Sequence, residues 1–161
     1  MKSLKQKVYS HHTKALDMIQ QWKKEGKKIV FTNGCFDIIH VGHVLYLESA
    51  RSLGDILIVG INSDISVRKL KGLSRPINDE LSRSYVLASL ASVDAAIIFE
   101  EDDPLNVIKS ICPDVLVKGG DWKPDQIIGG DFVTSQGGEV HSLPFVDGYS
   151  TTSIENKIKN S

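Results

Sequence analysis

Lys28-Ile-Val-Phe-Thr-Asn33 runs without a break into Gly34-Cys-Phe-Asp-Ile-Ile-His40-Val-Gly-His43, and the reading of this stretch decides the fold. Its first six residues are largely apolar and β-branched, which predicts a strand. Gly34 to His40 reads as a turn, and Val41 to Leu53 as a helix that stops at Gly54. A strand, a tight turn and a helix in succession open a parallel crossover unit. The turn delivers two histidines, three residues apart, onto one face of the helix's first turn. A helix N-terminus offers unpaired N–H groups and a partial positive charge, both suited to phosphate oxygens. Gly42 leaves room for a phosphate or base to approach the backbone, and Gly34 lets the turn lie close to a ligand.

Outward from this unit the same alternation continues. Asp55-Ile-Leu-Ile-Val-Gly-Ile61 is a second strand, apolar along its length as in a strand covered on both faces. Residues 62–78 are polar and basic, contain Gly72 and Pro76, and read as a long loop of the kind that often carries function. Asp79 to Leu90 is a helix with an acidic first turn, and Asp94-Ala-Ala-Ile-Ile-Phe99 a third strand. Residues 104–111 form a short helix opened by Pro104, and Asp114-Val-Leu-Val-Lys118 a fourth strand. After the turn Gly119-Gly120-Asp121-Trp122 and a short helix and loop over 124–136, Glu139 to Leu143 is a fifth strand; Ser150 to Ile158 closes the chain as a helix. Upstream, Ala15, Leu16, Ile19 and Trp22 stand at helical spacing before Glu25-Gly26. Residues 1–26 therefore read as a helical extension and 27–161 as the main domain; the sequence leaves open whether that first helix packs on the core or on a partner chain. The expected fold is α/β, a single Rossmann-like domain with a mostly parallel five-stranded sheet and helices on both faces.

Composition narrows the function. The 161 residues carry a net charge of -1, which gives no electrostatic footprint for nucleic acid or an anionic membrane. Apolar runs all fall short of the ~20 residues a bilayer span needs, and the basic N-terminus lacks the apolar stretch of a signal peptide. Cys35 and Cys112 stand in no metal-ligand spacing and read as reduced thiols, so the expected location is the cytoplasm. A zinc-protease reading of the histidines fails because that motif places them four apart around a glutamate; a dinucleotide-binding dehydrogenase would need a GxGxxG run in place of GCFDIIH.

Open parallel sheets bind ligands outside the carboxyl ends of their strands, so the candidate residues are those that follow each strand. Arg68-Lys69-x-Lys71-Gly72-x-x-Arg75 sets four cations within eight residues, either a solvated face or a phosphate clamp. Ser150-Thr151-Thr152-Ser153 opens the last helix, and an N-cap accounts for only one of the four hydroxyls. Asn62-Ser63-Asp64 reads equally as a turn or as a substrate contact.

The stretch GCFDIIHVGH resembles the His-x-Gly-His signature of the nucleotidyltransferase superfamily in its cytidylyltransferase-like branch. Gly148-Tyr-Ser-Thr-Thr-Ser153 resembles that branch's second signature. TNGCFDIIHVGHVLYLESARSLGD, LKGLSRPIN, PDVLVKGGDW and DGYSTTSI are similar to the adenylyltransferases of ADP-heptose biosynthesis, in that family's order and over roughly residues 27–160. The resemblance implies direct attack of D-glycero-β-D-manno-heptose 1-phosphate on the α-phosphate of ATP, giving ADP-heptose and pyrophosphate. It implies catalytic roles for His40, His43 and Lys71. Nucleotide and phosphate contacts would come from Asn33, Gly34, Cys35, Phe36, Gly42, Arg83, Lys118, Gly119, Ser150, Thr151 and Thr152. Asp37, Asn62, Arg75 and Asp121 would face the sugar phosphate. Bland readings stay open beside these: an exposed helix arginine for Arg83, a turn cap or an outer-sphere contact to Mg²⁺ for Asp37, and a turn cap for Asp121. The partners implied are ATP and a sugar 1-phosphate, with Mg²⁺ carried mainly by ATP and no protein metal ligand, in a homodimer or higher homo-oligomer. Cytidine-specific relatives carry Arg-Thr where this chain has Phe145-Val146, which speaks against CTP. A glycerol-3-phosphate cytidylyltransferase, a flavin adenylyltransferase and a nucleotide-binding regulatory module are the alternatives.

Overall fold

Successive residues of a strand face opposite sides of a sheet, so an unbroken apolar run must be covered twice. In β2 (Ile29–Gly34) Ile29 and Phe31 join one core cluster and Val30 joins the other. The computed structural model describes residues 3–161 and divides all the central strands in this way. Every residue of β3 (Ile56–Asn62) and β4 (Ala95–Phe99) is buried. The first face is covered by α1 (Leu16–Lys24), α5 (Leu105–Ile111) and α6 (Gly130–Ser135), through Ile19, Trp22, Ile108, Ile111 and Val133. The second is covered by α2 (Val41–Arg51) and α4 (Glu80–Ser89), through Leu47, Ala50, Leu87 and Ala88. Each fully buried Ile, Leu or Phe contributes about 1.5–3 kcal/mol, and these two layers supply most of the driving force.

β1 (Val8–Tyr9), β5 (Val115–Gly119) and β6 (Glu139–Leu143) complete a sheet of order β1-β4-β3-β2-β5-β6, parallel throughout. The sheet has six strands, not the five expected. The extra one, β1, is two residues long and pairs with β4 at the sheet edge, too short to show any periodicity. The first helix packs on this sheet, where Ala15, Ile19 and Trp22 share a cluster with Ile29 and Phe31. The long loop expected over 62–78 contains a helix, α3 (Asp64–Lys71), which buries only Ser66 and Val67. Its signals lie at its ends, Ser63 at the N-cap, Asp64 in the first turn and Gly72 after the last, and the loop reading passed over them. α7 (Thr151–Lys159) closes the chain and buries no side chain.

The acids that precede three strands fasten the amino end of the sheet. Asp55 accepts from Lys28 N at 2.8 Å, Asp94 from Leu57 N at 2.9 Å, and Asp114 from Ile29 N at 2.7 Å. The opposite, carboxyl end is left for a ligand.

Candidate active site

The chain runs from β2 to β3 and β4 on one side, then returns to lay β5 and β6 on the other. The switch point therefore lies between β2 and β5, which pair through Thr32 and Val117. A cavity of about 660 Å³ opens there, within the range of small-ligand sites. Asn33, Gly34, Cys35, Phe36 and Asp37 line it from the end of β2, His40, Gly42 and His43 from the start of α2, and Lys118 and Gly119 from the end of β5. Lys71, at the last position of α3, and Ser150, Thr151 and Thr152, at the start of α7, are the other predicted residues that line it.

Local chemistry explains the arrangement of the histidines. His40 is the N-cap of α2 in extended conformation, and no side chain caps that helix. Its ring stacks on His43, with centroids 3.8 Å apart. A Cβ on Gly42 would meet the His40 ring at 3.0 Å and Tyr149 Cβ at 3.1 Å, so glycine is what lets the imidazole and the 149 segment close over the helix start. Phe36 presents its ring edge to His43 from a left-handed backbone conformation (φ 47°), sparsely populated for a non-glycine residue. Burial, the neighbouring His40 and the Lys71 ammonium push the His43 pKa down to about 4; burial also lowers that of His40. Both rings are thus neutral at pH 7, each with one N–H. Their Nδ1 atoms are buried with no hydrogen-bond partner among the described residues. Lys118 is also lowered by burial, while Tyr46, 2.6 Å from Thr32 Oγ1, is raised by burial to about 12 and keeps its phenolic proton. The second helix start is capped by its own sequence: Ser150 Oγ accepts from Ser153 N at 3.1 Å. Two helix N-termini and two lysines thus converge on one cavity, a setting for a polyanion.

Four predicted residues lie outside the cavity lining. Arg83 is not an open phosphate ligand: it is 1% exposed, and its guanidinium donates to the carbonyls of Asn78, Cys35 and Asn62 and to Asp64 Oδ1. It ties the turn after β2 to the loops after β3 and before α4. Asn62 is buried and donates to Ser66 Oγ at 3.0 Å. Arg75 pairs with Asp37 Oδ2 at 2.9 Å and with Glu155 of α7, which leaves its side chain 11% exposed. Asp121 is exposed beyond the end of β5. Asp37 lines the cavity, yet its carboxylate is engaged: it accepts from Ile77 N at 2.7 Å and Asn78 N at 2.8 Å besides pairing with Arg75. In this structure Asp37 and Arg75 are a latch between the β2 turn, the 75–78 loop and α7. Lys69 turns away to Asp102.

Among the lining residues, the sequence reading did not consider Tyr46, and it named no site residue in Trp122 or the 145–149 segment, where it read only base choice and family likeness. Tyr46 was within reach, three residues beyond His43 on the same helix face. Phe145 and Tyr149 are exposed aromatics that the folded chain brings to the cavity, Tyr149 over Gly42 at the start of α2 and Phe145 against Gly119 and Gly120, and Trp122 Nε1 donates to Gly119 O at 3.0 Å.

A parallel α/β sheet whose central strand delivers a His-x-Gly-His turn to a helix start, facing a second helix start and lysines across the switch point, defines a nucleotidyltransferase domain. The chain belongs to the cytidylyltransferase-like family, whose sequence model matches residues 31–156. It is 55% identical over 141 residues to the bifunctional protein HldE of Geobacter metallireducens, covering 88% of this chain and 29% of that protein. To the bifunctional protein HldE of Haemophilus ducreyi it is 60% identical over 137 residues, 85% of this chain and 29% of that one. The chain thus spans about three tenths of the length of these curated relatives. Among solved structures, the lipopolysaccharide core biosynthesis protein of Thermoplasma volcanium superposes with a TM-score of 0.61 at 30% identity, over 78% of this chain and 100% of that one. Pantothenate synthetase of Thermus thermophilus shares the fold, with a TM-score of 0.63 at 14% identity over 95% of this chain and 70% of that one. No helix among the described residues is long and apolar enough to cross a membrane.

Proposed function

We propose that this domain transfers an adenylyl group from MgATP to D-glycero-β-D-manno-heptose 1-phosphate, releasing pyrophosphate. The observation that carries the reading is the neutral, stacked His40–His43 pair at the mouth of α2, with Lys71, Lys118 and the start of α7 around the same cavity. The identity to HldE proteins and the likeness to a lipopolysaccharide core biosynthesis protein support the heptose phosphate as acceptor.

An oxygen of the sugar phosphate attacks the α-phosphorus of ATP. A new P–O bond forms, the bond from the α-phosphorus to the α,β-bridging oxygen breaks, and pyrophosphate departs with the electron pair. The nucleophile is already ionised, so no general base is required, and catalysis consists of positioning and charge stabilisation. His40 and His43 each donate one N–H to phosphate oxygens and take up the charge that grows on the pentavalent phosphorus. Lys71 and Lys118 neutralise the triphosphate from either side, and the N–H groups at the starts of α2 and α7 hold its oxygens. Magnesium enters as part of the substrate. Of the carboxylates lining the cavity, Asp37 is engaged by Ile77, Asn78 and Arg75, and Asp147 stands exposed, so the ion is held mainly by the triphosphate. A homodimer or higher homo-oligomer is part of this reading.

The test is phosphorus NMR of the reaction with ATP chirally labelled by sulfur at the α-phosphorus. Appearance of the ADP-sugar thio-analogue with inverted configuration supports one direct displacement. Retention would require a covalent nucleotidyl-enzyme, and absence of the ADP-sugar would refute the acceptor.

A further inference from the structure

The edge strand β1 creates a second cluster of ligating groups, with β4 and β3 between it and the β2–β5 switch point. β1 and β4 run parallel with Val8 opposite Ala96 and Tyr9 opposite Ile97, so the residues that follow each strand leave the sheet at the same end. His11 and His12 follow β1, and Glu101 follows β4. One nitrogen of each imidazole and one carboxylate oxygen lie within 4.8 Å of one another. The two rings face each other at 4.1 Å between centroids. His12 is only 8% exposed, and its Nδ1 is buried with no hydrogen-bond partner among the described residues. A buried imidazole nitrogen without a partner, beside a second imidazole and a carboxylate, needs a ligand to satisfy it.

We propose that His11, His12 and Glu101 bind one transition-metal dication of the zinc class, which clamps the N-terminal strand to the loop after β4. Two imidazoles and a carboxylate are a recurrent zinc ligand set, with water in the fourth position. Around a tetrahedral ion with bonds of ~2.0–2.1 Å the ligand atoms stand ~3.4 Å apart, so a modest closing of the present cluster suffices. Calcium and magnesium prefer all-oxygen shells and are disfavoured. His11 Nδ1 accepts from Thr13 N at 3.3 Å and lies 3.0 Å from Thr13 Oγ1, so metal binding at Nε2 moves the ring proton to Nδ1, exchanging the long backbone bond for donation to the hydroxyl. None of the three residues lines the nucleotide cavity, and the inference is independent of the proposed reaction.

His40 and His43 are competing imidazoles, so the test is made in the full-length His40→Ala/His43→Ala background, stripped with chelator. Zinc binding is measured by equilibrium dialysis with elemental analysis, and cobalt(II) is added as a spectroscopic probe of coordination number. The expected result is one zinc per chain, an intense four-coordinate cobalt spectrum, and a melting midpoint raised by zinc. Adding Glu101→Gln or His11→Asn should weaken binding at least ~100-fold and abolish both the spectrum and the shift. Either change alone in the otherwise natural chain should leave pyrophosphate release unaltered. Failure of the double variant to bind zinc at micromolar concentration, or undiminished binding after Glu101→Gln, overturns the proposal.

Discussion

Replacing Asp37 by asparagine separates two roles that the sequence left open. The carboxylate is 1% exposed; it accepts hydrogen bonds from Ile77 N at 2.7 Å and Asn78 N at 2.8 Å and forms an ion pair with Arg75, whose Nε lies 2.9 Å away. An asparagine keeps one acceptor oxygen and turns an NH₂ group toward another donor. A hydrogen bond to a charged group contributes about 1.5–3 kcal/mol, and stranding one partner of a buried ion pair costs about 3–5 kcal/mol. Arg75 retains Glu155, which places the net loss near the lower end, about 3 kcal/mol. With a urea slope of ~2 kcal/mol/M the midpoint falls by about 1.5 M. The assay is urea unfolding followed by circular dichroism, run beside steady-state kinetics at a temperature where the variant is folded. An unchanged midpoint together with a tenfold or larger rise in KM for the sugar phosphate would refute the latch and make Asp37 a substrate ligand.

Four further outcomes follow from the site. His43→Ala should lower kcat about 10²–10³-fold while changing ATP affinity little, because its contact strengthens in the transition state; equal losses in kcat and binding would make it a ground-state contact. The His43 pKa of about 4 lies below the unfolded value of 6.5, so between these values the unfolded chain binds a proton that the native chain does not. Stability should therefore fall as pH drops from about 6.5 to about 4, and urea midpoints of His43→Ala across that window should show a shallower fall. Gly42→Ala should reduce kcat at least about tenfold with little change in unfolding midpoint, since alanine favours the helix by ~1 kcal/mol while its Cβ displaces the His40 ring; unchanged kinetics would sink that packing argument. Cys35→Ala should retain most of the activity in pyrophosphate-release assays, whereas a nucleotidyl adduct on Cys35 by mass spectrometry would contradict direct displacement.

The central sheet was legible because β2 to β5 are largely apolar runs, and the placement of Asn33 to Asp37, His40, His43, Lys71, Lys118 and Ser150 to Thr152 follows from the rule that ligands sit at strand carboxyl ends. Asp55, Asp94 and Asp114, read as first strand residues, instead cap the strand starts by accepting backbone N–H bonds. What escaped depends on tertiary pairing. β1 exists only because β4 offers it an edge, and α3 announces itself only by the Ser63 cap, Asp64 in its first turn and basic residues in its last. Arg83 and Arg75 carry the same charge as Lys71, and no pattern in the chain says that the arginines are consumed by Asp64, Asp37 and Glu155 while the lysine stays at the cavity. Phe145 and Tyr149 stood in stretches that the sequence reading used for base choice and family likeness, but their place on the cavity rim depends on tertiary pairing.

The most direct measurement is the initial rate of pyrophosphate release with Mg²⁺, crossing ATP and CTP against heptose 1-phosphate and glycerol 3-phosphate. Release confined to ATP with heptose 1-phosphate, and lost in His43→Ala, is the predicted result. Release with CTP and glycerol 3-phosphate, or none in any pair, would contradict the assignment.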